Sequence, residues 1–99
     1  MPLGTKSSGS VAGQLDLRGA FLRRTDLSYA NLEGANLTGA DFTNALFRGA
    51  NFKDAILDGT ILHGADLSDA KNLSLAQLKR AVIDAQTKLP DYIPAAEVL

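Results

Sequence analysis

His63 is the only histidine among the 99 residues, and there is no cysteine. A zinc site gathers three or four Cys, His or carboxylate ligands, so this inventory offers little to build one. Ser28 and Ser68 carry hydroxyls, but neither has a base at a spacing that would activate a nucleophile. Asp54, Asp58, Asp66 and Asp69 form the densest run of acids. Close carboxylates can perturb one another's titration or hold a divalent ion, yet solvated surface acids are the simpler reading. Arg18, Arg23 and Arg24, with Lys6 nearby, make a basic spot that lacks the interleaved aromatics of a nucleic-acid surface. The chemistry-bearing residues therefore predict no catalytic site, no metal and no cofactor. The chain is not expected to be an enzyme.

The elements that must carry these residues are unusually legible. Formal charge is −1 and 45% of residues are hydrophobic, which suits one folded domain with no field for steering a polyanion. The opening stretch MPLGTKSSGS lacks the apolar core of a secretory signal. No apolar run approaches the roughly 20 residues that cross a bilayer. A cytoplasmic protein without membrane or nucleic-acid partners is expected.

From Leu15 the chain reads LDLRG AFLRR TDLSY ANLEG ANLTG ADFTN ALFRG ANFKD AILDG TILHG ADLSD, eleven pentads without a break to Asp69. Every central residue is Leu or Phe, and the residue two before it is Ala except at Leu15, Thr25 and Thr60. Asp or Asn precedes the centre in seven pentads, and Gly ends six. A period of five suits neither a 3.6-residue helix nor an unbroken strand. A short extended piece followed by a corner satisfies it. Ala30 and Leu32, two apart, then share the inward side while Asn31 faces out. Asp and Asn at that outward position are suited to bonding the nearby turn backbone, and Gly gives the corner its freedom.

These A(D/N)Lxx repeats resemble the pentapeptide-repeat proteins. The resemblance implies an all-β solenoid: a right-handed quadrilateral parallel β-helix, with one pentad per side and four per coil. Residues 20 apart would then stack, placing Phe42, Phe47 and Phe52 in one middle layer and Glu33 beneath Lys53. Phe47→Ala is expected to be costly, and Thr43→Ala on the outside nearly neutral. The expected divisions are an N-terminal segment 1–14, mobile in part, the repeats over 15–72, a C-terminal capping α-helix over 73–86, and a tail over 87–99. Ser74 with Gln77 forms a capping box, and Leu73 can staple to Leu78. Leu75, Leu78, Val82 and Ala85 share one helical face.

Four outward positions break the polar rule: Phe21, Leu46, Ile56 and Ile61. Either the apolar tail folds over some of them, with Ile56 and Ile61 the favoured pair, or they form a contact surface. The expected function is a non-catalytic structural or protein-binding module presenting a rigid β-helix surface to another protein. The resemblance also admits a DNA-mimicking modulator of a type II topoisomerase, disfavoured by short length and near-neutral charge. A monomer is expected, with weak homodimer formation through the N-terminal coil.

Overall fold

The computed structural model of the chain describes residues 14–98. The expectations placed on 1–13, including any cover for the first coil and the contribution of Lys6, lie outside the described residues. Over the repeats, parallel bridges join Asp16 to Asn36 to Ile56, Phe21 to Asp41 to Ile61, Asp26 to Leu46 to Asp66, and Asn31 to Asn51 to Lys71. Each step is 20 residues, so four pentads complete one coil and the four chains of bridges are its four sides. Neighbouring coils are joined by backbone hydrogen bonds such as Leu37 N–H to the Ile56 carbonyl at 2.9 Å and Asn36 N–H to the Leu15 carbonyl at 2.8 Å. The eleven pentads thus form a four-sided parallel β-helix.

Each corner is closed the same way. The amide three residues after a centre donates back to the centre's carbonyl, as Ala40 does to Leu37 at 3.0 Å. The fifth residue of every pentad has a positive φ, as at position i+2 of a type II turn. Six of these residues are Gly, whereas Arg24, Tyr29, Asn44, Asp54 and Asp69 adopt φ between 58° and 64° with a side chain present. Asn and Asp tolerate this region; Arg and Tyr lose about 1–2 kcal/mol each by entering it. Tyr29 lays its ring over the next coil's corner. A Cβ on Gly49 would come within 2.5 Å of two Tyr29 ring carbons, whereas one on Gly39 would meet nothing within 4 Å.

Inside, Leu32, Leu37, Phe42, Phe47, Phe52, Leu57, Leu62 and Leu67 are fully buried, walled by the alanines two places earlier. Phe42 and Phe47 meet edge to face at 5.0 Å between centroids, and Phe47 and Phe52 are tilted at 5.3 Å. The expected aromatic layer therefore forms, in geometries that add about 0.5–1.5 kcal/mol per pair beyond burial. Thr60 occupies an alanine position at no exposure because its hydroxyl donates to the Leu37 carbonyl at 2.7 Å. In the first coil Leu17, Leu22 and Leu27 are only partly buried.

The C-terminal region departs from expectation. The helix α1 runs only Leu75–Arg80, not 73–86. Its start is as read: Ser74 and Gln77 form the capping box, and Leu73 and Leu78 are both buried. Gln77 also donates to the Phe52 and Ala55 carbonyls, both at 2.9 Å, which fixes the helix to the coil below. After Arg80 the chain returns to the ladder. Val82 bridges to Ile61 and Lys88 to Asp66, with the Leu62 and Leu67 amides donating to their carbonyls at 2.8 and 2.7 Å. A continued helix would leave those amides unpaired, which costs more than a six-residue helix end gains. Asp84 then accepts N–H bonds from Gly64, Gln86 and Thr87 at 3.0–3.1 Å, and the Thr87 hydroxyl donates to the Leu62 carbonyl at 2.7 Å. In the tail Pro90 and Ile93 are buried, Leu89 and Val98 pack on the core, and the Tyr92 hydroxyl joins the Ala70 carbonyl and Leu73 amide.

Two measurements check this packing. Phe47→Ala is expected to cost about 3–5 kcal/mol by denaturant titration. Thr43→Ala is expected to cost up to about 1 kcal/mol rather than nothing, because the hydroxyl donates to Asp41 at 2.6 Å. Equal losses would mean that inside and outside are exchanged. At the corners, Gly39→Ala should lose about 1–2 kcal/mol from φ alone. Gly49→Ala should lose more, and in a double-mutant cycle Tyr29→Gly should remove the excess; an excess that survives would place the clash elsewhere.

Candidate interaction surface

The outer wall consists of the residues preceding each centre and those following it. At all seven pentads with Asp or Asn before the centre, the side-chain oxygen accepts the amide two residues on. The pairs are Asp16 with Arg18, Asp26 with Ser28, Asn31 with Glu33, Asn36 with Thr38, Asp41 with Thr43, Asn51 with Lys53 and Asp66 with Ser68, at 2.9–3.2 Å. The repeated acids and amides thus hold their own corners. On the fourth side Asn51 donates to Asn31 at 3.2 Å and Asn72 to Asn51 at 2.8 Å, so the amides also tie coil to coil.

The candidate reactive groups are engaged or isolated. Arg18 pairs with Asp16, Arg23 with Asp41 and Arg80 with Asp58, each at 2.8 Å, and Arg48 lies 3.8 and 3.5 Å from Asp66 and Asp69. The basic spot is therefore largely neutralised, a difference from expectation. Asp41 stands 18 residues from Arg23 in the chain, so only stacking reveals that pair. Of the four acids read as one run, Asp58 pairs with Arg80, while Asp66 and Asp69 share Arg48. Among the described residues no group of His and carboxylates could hold a metal ion. Ser28 and Ser68 stand at corners and their amides serve the Asp turns. Glu33 and Lys53 stack without an ion pair among the described residues.

The turn bonds also move the acids' titration. Hydrogen bonds from Arg18 hold Asp16 down at about 2, and the Thr43 hydroxyl followed by Arg23 holds Asp41 at about 2. Ser28 lowers Asp26, and Arg80 lowers Asp58. These shifts follow from corner geometry and salt bridges.

The apolar exceptions stand out against this wall. Phe21 is 72% exposed, Leu46 40% and Ile56 39%, while Ile61 is half-buried. The ladder places Phe21 and Ile61 on the second side with Asp41 between them and Val82 above, Ile56 on the first side, and Leu46 on the third. All four therefore point outward, but the ladder distributes them over three sides rather than gathering them. The favoured expectation of tail cover does not hold for Ile56. Leu89, Pro90 and Ile93 join the core, where burying apolar area gains more than lying on a flat wall. Sequence reading passed over two further outward residues. Tyr29 is 79% exposed at a left-handed corner, and Val82 lies outward because the helix stops early. Aromatic identity at a corner position was the signal for the first; nothing local signals the second.

The description that matches the chain is pentapeptide repeats, with 8 copies over residues 8–44, 35–71 and 45–83. A pentapeptide repeat protein, Rfr23, from the cyanobacterium Cyanothece 51142 is 32% identical with a TM-score of 0.69, covering 78% of this chain and 52% of that one. One from the Arabidopsis thaliana thylakoid lumen is 29% identical at 0.54, covering 77% and 55%. QnrB1, a plasmid-mediated fluoroquinolone resistance protein, is 20% identical at 0.63, covering 78% and 35%, a likeness of fold alone. The chain spans about half the length of the first and about a third of the last. No curated protein sequence matches it.

Acid titration of stability checks the wall's role. A carboxyl whose value is lowered by folding stabilises the fold above its unfolded value and loses that contribution as pH falls through the folded one. Unfolding midpoints should therefore hold steady down to pH about 4 and drop between the ordinary 3.8 and about 2. Asp41→Asn should flatten part of that drop, since the amide keeps the turn acceptor without the titration. An unchanged acid profile in this variant would show that Asp41 is not one of the groups responsible.

Proposed function

Because the chain belongs to the pentapeptide repeat family, whose fold is a right-handed quadrilateral β-helix, we propose that it is a non-catalytic module that presents a rigid wall to another protein. The short helix α1 and the tail close the carboxyl end of that solenoid. One observation carries the reading. At Phe21, Leu46, Ile56 and Ile61 an apolar side chain replaces the residue that elsewhere locks the corner. Each such place forgoes a hydrogen bond of about 0.5–1.5 kcal/mol and puts apolar surface in or near water. A partner docked on a side that carries one or two of them offsets the cost of that exposure. A cytoplasmic setting rests on the cysteine-free composition. No helix among the described residues is long and apolar enough to cross a membrane.

The second reading is a DNA-mimicking modulator of a type II topoisomerase. Its support is fold likeness to QnrB1, at an identity too low to carry function. Eleven pentads make under three coils, about 14 Å at ~4.8 Å per rung, or about four base pairs of duplex. Of the acids that would imitate phosphates, Asp16, Asp26, Asp41, Asp58, Asp66 and Asp69 are engaged by arginines or turn amides.

The test is capture and cross-linking with the folded protein beside a variant carrying Phe21→Asn, Leu46→Asn, Ile56→Asn and Ile61→Asn. Asn is the residue the other corners use, so the variant should melt no lower than the parent. Specific partners should be lost, each aromatic or aliphatic anchor being worth about 1–2 kcal/mol. Partners retained at full strength would refute the wall as the binding surface. In a supercoiling assay no inhibition is expected at micromolar protein, and dose-dependent inhibition would favour the second reading.

A further inference from the structure

The second side of the solenoid reads, from the first coil upward, Phe21, Asp41, Ile61 and Val82. Its lower three rungs are palindromic, with apolar residues flanking one carboxylate. Turned end over end about an axis along the strands, this column coincides with itself: Phe21 falls opposite Ile61, and Asp41 opposite Asp41. We propose that this side is a self-complementary docking surface, and that its occupant is a second copy of this chain related by a two-fold axis through the Asp41 rung. The proposal rests on the reading of the wall as a contact surface and names one partner for it.

Charge supports this register. Two facing carboxylates would normally repel, but each Asp41 already accepts Arg23 Nε at 2.8 Å, and its side chain is only 14% exposed. Arg23 uses that single donor on Asp41. Its terminal amino groups remain, 54% of the side chain being exposed, and they are placed to reach the facing Asp41, where a guanidinium has five N–H groups to share. The same guanidinium stands 4.9 Å above the Phe21 ring, so one ring face is already covered and the other is left for Ile61 of the second copy. A two-fold pairing makes each of these contacts twice. The other sides lack paired apolar ends, and the third has the reverse symmetry, which would bring carboxylates face to face. The first has Asp16, Asn36 and Ile56, the third Asp26, Leu46 and Asp66, and the fourth Asn31, Asn51 and Lys71.

The area sets the strength. One side is about 10 Å wide and its four rungs span about 14 Å, so each copy covers a few hundred Å², well below the ~800 Å² per partner of a standard interface. The pair is therefore weak, a monomer in dilute solution that associates when concentrated.

Sedimentation of the whole chain from about 20 µM to about 2 mM reads this directly, with association expected near a Kd of about 0.1–1 mM. Phe21→Asn and Ile61→Asn should each weaken it at least about tenfold, and Leu46→Asn, on another side, should not. Melting temperatures no lower than the parent's would show that all three variants are folded. A mass that stays monomeric throughout, or a loss as large with Leu46→Asn, overturns the proposal. Sensitivity to Phe21→Asn with none to Ile61→Asn also overturns it, by moving the contact to the N-terminal coil. Any of these failures leaves the heterologous capture result standing, whereas partners retained at full strength by the four-Asn variant, with the parent's self-association intact, remove the broader reading alone.

Discussion

The structure depends on one repeated constraint, a left-handed residue at the fifth place of every pentad that lets the amide beyond it return to the central carbonyl. The chain turns about a right angle there and then has only three residues in which to be extended. A strand that short holds one large inward side chain and one small one. Four such corners bring the chain back above its starting point, and the rung-to-rung hydrogen bonds hold the coils at a 20-residue offset. Corner and ladder are mutually dependent: an isolated three-residue strand has too few bonds to persist, and an unturned strand cannot stack on itself.

The interior follows from that geometry. Neighbouring sides meet closely enough at each corner that their central residues touch, as Phe42 does Phe47 and Phe47 does Phe52, and the accompanying residues must be small. Polar side chains are tolerated against the interior where a polar atom finds a carbonyl of the coil below. Thr60 reaches Leu37, Thr87 reaches Leu62, and Gln77 reaches Phe52 and Ala55. No buried side-chain polar atom among the described residues is left without a partner. The carboxyl-terminal segment leaves the pentad rule but still meets the same demand for backbone partners.

Most polar groups of the wall are engaged by the fold itself. Asp and Asn are frequent on the wall, yet each repeated one is occupied by an amide two residues ahead, and the arginines take most of the free carboxylate oxygens. What remains unexplained by folding is apolar: Phe21, Leu46 and Ile56 in water, and Ile61 half in it. A rigid solenoid positions such residues without any ordering cost on binding, and so a few of them can define a contact surface even though the described residues show no catalytic arrangement.

The sequence by itself determined the pentad phase, hence which residues point inward, where the corners fall, and that Asp and Asn serve the turns. All of these are local consequences of a period of five, repeated until accident is excluded. The capping box was legible for the same reason, since Ser74 and Gln77 lie within one helical turn. The end of α1 was not legible. Leu75, Leu78, Val82 and Ala85 do share a helical face, and only the unpaired amides of Leu62 and Leu67 in the coil below draw Val82 and Lys88 back into extended structure. Nor could the sequence pair Arg23 with Asp41, lay Tyr29 on Gly49, or send the tail into the core rather than across Ile56. Those choices depend on which groups one coil presents to the next, and the tertiary structure decides them because hydrogen bonds and burial are satisfied across 18 to 25 residues, beyond any local pattern.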